Sequence, residues 1–210
     1  MKKTQKEKTL ELVQLAMLTA LVIVLQILSA LIPTVGGVSI TLTLIPVVIG
    51  AILFGIRGGT ILGFTFGLIV IINCITGLDP GGNFLFNANP IATVSLCVLK
   101  CTMAGFVPAA VYSSITKKKT LGDKGKFFST LLAAMLSPIV NTLIFVIGAF
   151  IFFNDTLALT ASAAAEGKSI LLYIITTMAG INFLVEFIIN IALTPAIIRI
   201  VDVIKKKRQV

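Results

Sequence analysis

Six long apolar runs constrain the fold of this chain more than any other feature of its sequence. They cover residues 10–32, 42–54, 59–75, 90–115, 127–153 and 169–203. Hydrophobic residues make up 57% of the 210 residues and charged residues only 12%, which is too apolar for a soluble domain. A helix needs about 20 apolar residues to cross the hydrocarbon core of a membrane. The sequence therefore predicts an all-α protein, a polytopic membrane bundle of six transmembrane helices in one domain over residues 1–210.

The positive charges predict the orientation of this bundle. Fifteen of the seventeen Lys and Arg residues fall at the N-terminus, at Arg57, within residues 117–126 or in the tail 199–208. These regions all lie on one side of a six-span chain, and cytoplasmic loops carry the excess of Lys and Arg. We therefore expect both termini to be cytoplasmic. The net charge of +9 then needs no nucleic acid partner, because topology and anionic lipid headgroups account for it.

Two further local features follow from this topology. The second run is short for a full crossing and contains Pro46, which predicts a short, tilted or kinked helix.

Residues 33–41, 77–89 and 154–168 become the outer segments. In the middle one, Phe84 and Phe86 accompany the amides of Asn87 and Asn89. Rings beside amides suit a lid over a ligand pocket, although two rings buried only for stability would give the same pattern.

Polar residues inside the apolar runs predict a ligand site. Lys100 lies about ten residues into the fourth predicted span, near the midplane, where an ammonium group is costly without a partner. Three polar residues recur every fourth position in the last span, namely Asn182, Glu186 and Asn190, and Asn141 lies at a comparable depth in the fifth. We expect these side chains to bind a polar solute. An ion pair between Lys100 and Glu186 that only locks the bundle is the alternative.

Small residues at helical spacing predict contacts between helices. Gly55, Gly59, Gly63 and Gly67 form a ridge at intervals of four residues, which lets a neighbouring backbone approach closely, and we expect internal packing there. The sequence Ala16-Met-Leu-Thr-Ala20 in the first span is a second pair of small residues. Its spacing alone is a weak signal, because alanine is common in membrane helices.

Several kinds of chemistry are excluded by missing residues. The chain has no histidine, which removes a Ser-His-Asp triad and histidine ligands for zinc or haem. It also has no phosphate-binding G-x-x-x-x-G-K-[ST] loop, so ATP-driven work requires a partner. We expect no cofactor, no metal site and no enzymatic activity. The three cysteines lie inside apolar runs, where they serve as small packing residues.

The chain resembles the substrate-binding S components of energy-coupling factor (ECF) vitamin transporters. Six spans in about 200 residues and the Ala-x-x-x-Ala pair in the first span are typical of that family. Residues 40–55, with the sequence ITLTLIPVVIGAILFG, and residues 59–67, with GTILGFTFG, are similar to its second and third helices. The resemblance covers the whole chain in topology but only the first three helices in recognisable sequence.

This resemblance implies a function and its partners. An S component captures a water-soluble vitamin in a pocket formed by loops and the outer halves of helices 4 to 6, then docks on a transmembrane T subunit that carries two cytoplasmic ATPases. The resemblance also implies that the protein tips within the bacterial plasma membrane to release the vitamin inward. Ala16 and Ala20 match the family's docking motif. Lys100 and Glu186 offer opposite charges and so do not choose between an anionic and a neutral ligand. Pantothenate, whose carboxylate could meet Lys100, is the first candidate and riboflavin the second.

Three other classes of membrane protein are alternatives to a vitamin-binding S component. A small secondary transporter driven by protons or sodium ions could use Glu186 as its titrating group, although the chain lacks the internal repeat of many such carriers. An intramembrane enzyme would need a second carboxylate or a histidine beside Glu186, and the spans offer neither. A structural scaffold has no reason to keep charged groups at the midplane.

Overall fold

The computed structural model describes residues 5–30, 41–117, 122–164 and 169–208, and these ranges contain helices but no strand. The helices are α1 (Gln5–Ala30), α2 (Leu44–Thr76), α3 (Pro80–Ala88), α4 (Pro90–Lys117), α5 (Asp123–Ala164), α6 (Ile170–Tyr173), a π-helix (Ile174–Ala179), α7 (Gly180–Ala192) and α8 (Thr194–Arg208). Within them, five stretches are long and apolar enough to cross a membrane: Gln5–Ser29, Leu44–Thr76, Pro90–Thr116, Asp123–Leu159 and Ile170–Ala192. The predicted all-α membrane class is therefore confirmed.

Helix α2 contains the second and third predicted runs and reverses direction between them. Gly55 has φ 64° and ψ −152°, a conformation that is almost confined to glycine. A Cβ atom on Gly50 would lie 2.0 Å from Leu62 Cδ1, whereas residues twelve apart in a straight helix are about 18 Å apart. The two arms, residues 44–54 and 56–76, therefore fold back on each other. Pro46 is the third residue of α2, where its nitrogen needs no partner within the helix, so the break is at Gly55 instead.

The second arm of α2 packs against α4 through glycines, as the spacing predicted. A Cβ atom on Gly59 would lie 2.3 Å from the carbonyl oxygen of Gly105, and one on Gly63 would lie 2.4 Å from that of Cys101. Gly67 makes a similar approach to Cys97, at 3.1 Å. Internal packing is thus confirmed for these three ridge positions. Gly55, the fourth, belongs to the reversal and not to the ridge.

Two predicted outer loops contain helices. Residues 80–88 of the middle segment form α3, which has Pro80 at its start, a position where the fixed φ of proline suits a helix. The fifth span does not end near residue 153, because α5 continues to Ala164 through a stretch rich in Leu and Ala. Residues 33–40 of the first predicted outer segment and 165–168 of the third lie outside the described residues.

The last predicted run is interrupted twice. A π-helical turn occupies Ile174–Ala179, and the helix then ends at Ala192 before α8 begins at Thr194. Pro195, the second residue of α8, cannot donate a backbone hydrogen bond to the preceding helix, which explains the break. The predicted single helix over residues 169–203 is therefore wrong in its continuity.

Candidate functional site

A cavity lies between the second half of α2, α3, the first half of α4, the middle of α5 and the junction of the π-helix with α7. The polar residues and cysteines that line it are Cys74, Asp79, Thr93, Cys97, Lys100, Asn141, Thr142 and Asn182. Three of them, Lys100, Asn141 and Asn182, were predicted from the sequence, on three different spans. The structure therefore brings these three residues together around one space.

Lys100 is the cation of this cavity. It is the eleventh residue of α4, about 15 Å along the helix from Pro90. Its Nζ lies 4.9 Å from the centroid of the Phe145 ring, close enough for a cation–π interaction. Among the described residues, the structure records no ion pair of Lys100 within 4.0 Å, with Glu186 or with any other carboxylate. The ammonium group thus faces the cavity with donors available for an anion.

Two buried oxygens in the same cavity lack a hydrogen-bond partner among the described residues. They are Asp79 Oδ1 and Asn141 Oδ1. Buried acceptors are almost always satisfied by the protein, by water or by a ligand. A bound solute that donates hydrogen bonds would satisfy both oxygens. The cavity therefore combines one positive donor, Lys100, with two acceptors.

Asp79 is the main residue that the sequence analysis did not select as a binding residue. It lies in the turn between α2 and α3, and its neighbours Gly81 and Gly82 also line the cavity. Burial raises the pKa of Asp79 above its ordinary value of 3.8, while the Lys100 ammonium and the backbone N–H groups of Gly82 and Gly81 act in the opposite direction. Its sequence context, Asp-Pro-Gly-Gly, is typical of an exposed turn and gave no signal of burial.

Glu186 and Asn190 do not line this cavity and form a second buried cluster instead. Glu186 is only 1% exposed and accepts a hydrogen bond from the Thr41 hydroxyl. Asn190 Nδ2 donates to the backbone carbonyl of Glu186 at 2.8 Å. The Thr43 hydroxyl donates to Gln26 Oε1 at 2.8 Å and extends the buried polar layer to α1. The side chain of Asn182 also makes a hydrogen bond with Glu186. The predicted stripe therefore runs from the cavity, which Asn182 lines, into this second cluster.

The two asparagines selected in the middle outer segment also lie outside the cavity. Asn87 is exposed and its Nδ2 donates to Asn83 Oδ1 at 3.0 Å. Asn89 accepts a hydrogen bond from the backbone N–H of Ala92 at the start of α4, which is the role of a helix cap. Helix α3 does contribute to the cavity, but through Leu85 and the glycines before it.

The π-helix lies next to the cavity. Its last two residues, Met178 and Ala179, line the cavity just before Asn182 in the following helix. π-Helical turns are rare, and they are frequent at functional sites because the wider turn shifts the register of the side chains that follow. Here the π-helix directly precedes the first turn of α7, which carries Asn182.

The docking residues predicted by resemblance lie on a separate surface. Ala16 and Ala20 are exposed on α1, and large apolar neighbours on the same helix, such as Leu12 and Met17, are each 68% exposed. Helix α1 buries its other face, including Val22 and Gln26, against the rest of the bundle. The exposed face can therefore contact lipid or another membrane protein.

The sequence is similar to known transport proteins along nearly its whole length. A family model described as "ECF transporter, substrate-specific component" matches residues 10–198. The chain is also 27% identical over 205 residues to the pantothenic acid transporter PanT of Lactococcus lactis subsp. cremoris (strain MG1363). That match covers 92% of this chain and 94% of the relative.

Proposed function

Because the chain belongs to the family of ECF transporter substrate-specific components, a family of multi-pass membrane proteins, we propose that it binds pantothenate for ATP-driven import. The observation that carries this proposal is the cavity that combines Lys100 with the unsatisfied oxygens of Asp79 and Asn141. The name of the relative PanT supports the same vitamin. The protein would bind and deliver its ligand without changing it chemically.

The polar groups of pantothenate match those of the cavity. The molecule carries a carboxylate, an amide and two hydroxyl groups. The Lys100 ammonium would bind the carboxylate, while the side-chain oxygens of Asp79 and Asn141 would accept hydrogen bonds from the hydroxyl and amide groups. Riboflavin fits less well, because its flat ring favours aromatic stacking and Phe145, the aromatic residue lining the described cavity, already lies beneath Lys100.

The proposed topology has six crossings with both termini in the cytoplasm. The reversal at Gly55 divides α2 into two arms, which adds one crossing to the five candidate spans. The basic residues near the N-terminus, Arg57, the α4–α5 connection and the tail then share the cytoplasmic side. The cavity beside α3 lies at the opposite end and would open to the outside, where a vitamin is captured.

The ATP-driven step requires partners, because the chain has no nucleotide-binding motif. We propose a transmembrane T subunit with two cytoplasmic ATPases, as the family implies. Ala16 and Ala20 on the exposed face of α1 would form its docking site. These alanines lie on a helix that does not line the cavity, so docking and ligand binding can be tested separately.

The proposal is tested by the affinity of purified protein for pantothenate and for pantothenyl alcohol, which lacks the carboxylate. We expect Lys100→Gln to weaken pantothenate binding by about 10- to 150-fold, because a charge-assisted hydrogen bond contributes about 1.5–3 kcal/mol. The same change should leave the alcohol's affinity nearly unaltered. Lys124→Gln, which removes an exposed charge far from the cavity, is the matched control.

Two outcomes would contradict this assignment. If the wild-type protein binds riboflavin and not pantothenate in isothermal titration calorimetry, the vitamin is wrong. If Lys100→Gln weakens the acid and the alcohol equally, Lys100 does not meet the carboxylate.

Glu186 supports a second candidate function, a transporter driven by protons or sodium ions. A carboxyl group that is 1% exposed inside a candidate span is a typical coupling group of such carriers. Reconstituted in liposomes without other proteins, a secondary carrier would accumulate pantothenate under a pH or sodium gradient, and Glu186→Gln would abolish this. An S component would accumulate vitamin only after an ATPase module is added.

A further inference from the structure

A second cavity lies at the other end of the molecule and has no role in the proposed transport site. It is bounded by the first arm of α2, the end of α4, the start of α5 and the middle of α8. Its polar lining residues include Tyr112, Ser113, Lys126, Thr130, Asp202 and Lys205. Thr116, which lies beside them, is 23 residues along α4 from Thr93 of the first cavity, or about 35 Å.

The charges in this second cavity give it a net positive sign. Lys126 and Lys205 contribute two ammonium groups and Asp202 one carboxylate. Lys126 also lies 4.0 Å from Asp123, but both side chains are largely exposed and such a pair contributes little. Lys205 Nζ lies 5.9 Å from the centroid of the Tyr112 ring, so its ammonium is held over the cavity wall. The net charge of the lining is +1.

The hydroxyl groups add hydrogen-bond donors to these charges. Ser113 Oγ faces the reversal at Gly55, where a Cβ atom would lie 3.6 Å from it. The Thr116 hydroxyl already donates to the Tyr112 carbonyl at 2.8 Å, so it can only accept. The Tyr112 hydroxyl already shares a hydrogen bond with the Thr130 side chain. Ser113 therefore supplies a hydroxyl that could donate to an anion, in addition to the two ammonium groups.

We propose that this second cavity binds a phosphate group, carried by an anionic lipid headgroup or free in solution. A phosphodiester carries one negative charge, which matches the net charge of the lining. Basic cavities between membrane helices on the cytoplasmic side are known to bind anionic headgroups. Apolar residues beside the polar groups, Ile52, Leu53 and Ile198, provide a wall for the first methylene groups of a lipid. The site is separate from the vitamin cavity, and its cytoplasmic position rests on the topology given under the proposed function.

Native mass spectrometry of the full chain tests this proposal with a charge-matched control. The probe is protein extracted from vesicles of phosphatidylcholine with or without phosphatidylglycerol. We expect Lys126→Gln/Lys205→Gln to reduce retained phosphatidylglycerol at least tenfold, since each basic residue near a headgroup contributes about 1 kcal/mol. Lys124→Gln/Lys206→Gln removes the same charge from exposed positions outside the cavity and should retain the lipid.

A second measurement separates the two sources of phosphate. Inorganic phosphate added to protein in neutral detergent should raise the thermal midpoint of the wild type, and not of the cavity variant, if free phosphate is the ligand. Retained phosphatidylglycerol without such a rise would assign the site to lipid. Equal loss of lipid in both double variants, or no difference among the proteins with either probe, would overturn the proposal. Monodisperse gel filtration and unchanged helical circular dichroism establish that each variant is folded.

Discussion

The unsatisfied oxygen of Asn141 links stability and binding at a single residue. A buried acceptor without a partner costs about 1–3 kcal/mol in the ligand-free protein. We expect Asn141→Leu, whose side chain can extend into the cavity, to stabilise the ligand-free protein by about 1 kcal/mol and to weaken pantothenate binding about tenfold. Thermal unfolding and calorimetry measure the two effects. Asn154→Leu, outside the cavity, should leave affinity unchanged, and a destabilised Asn141→Leu that still binds would contradict the role of Asn141.

The burial of Asp79 predicts that the stability of the protein depends on pH. Because burial raises its pKa, folded protein holds this proton more tightly than unfolded protein, and the folded state loses stability as pH rises above the ordinary value of 3.8. Asp79→Asn removes the titration. The wild type should therefore become less stable relative to Asp79→Asn as the pH rises above about 4 in ligand-free thermal unfolding. Asp123→Asn, at an exposed site, is the control and should show the same change of stability with pH as the wild type. If the stability of Asp79→Asn and of the wild type changed in parallel with pH, the pKa of Asp79 would not differ between the folded and unfolded protein.

At the scale of elements, the contact between α2 and α4 depends on the absence of side chains. A Cβ atom on Gly63 would lie 2.4 Å from the Cys101 carbonyl oxygen, and backbone cannot move aside as a side chain can. We expect Gly63→Ala to destabilise the protein by about 1–3 kcal/mol, measured by thermal unfolding in detergent. Gly122→Ala is the matched control, because nothing lies within 4 Å of the added atom. Equal stability of the two variants would contradict this packing.

The same elements show how far the sequence determines this fold. Apolar runs and the glycine spacing predicted the spans and the ridge, because both are periodic along one helix. The residue at which α2 reverses direction was not predictable, because Gly55, Gly58 and Gly59 could each adopt the positive φ that a reversal needs. In the structure Gly58 and Gly59 are held in close contacts, and Gly55 adopts the positive φ. Helix α3 was missed because Pro and Gly usually indicate a turn, although Pro80 begins a helix here.

The candidate site was predictable to a similar degree. Depth along each span placed Lys100, Asn141 and Asn182 at one level, and the structure brings them to one cavity. The rotation of helices about their axes is not encoded in spacing. Glu186 contacts Thr41, a residue 145 positions away. The periodicity of the sequence could not predict this contact, because it does not show which neighbour a helix face meets.

At the scale of the whole molecule, the proposed binding cavity and the proposed docking face lie on different surfaces, so a mutation should be able to remove one function and leave the other. We expect Ala16→Phe/Ala20→Phe to leave pantothenate affinity unchanged, because both residues are exposed on α1 and neither lines the cavity. Uptake by cells that co-express the energy-coupling module should fall at least tenfold, because two bulky rings would prevent close approach of a partner helix. Radiolabelled pantothenate measures uptake, and calorimetry on the purified variant measures binding. Ala192→Phe, at an exposed site on α7, is the control and should transport normally. Normal uptake by the α1 variant would place the partner on another face of the bundle, since an S component that cannot dock has no other source of energy.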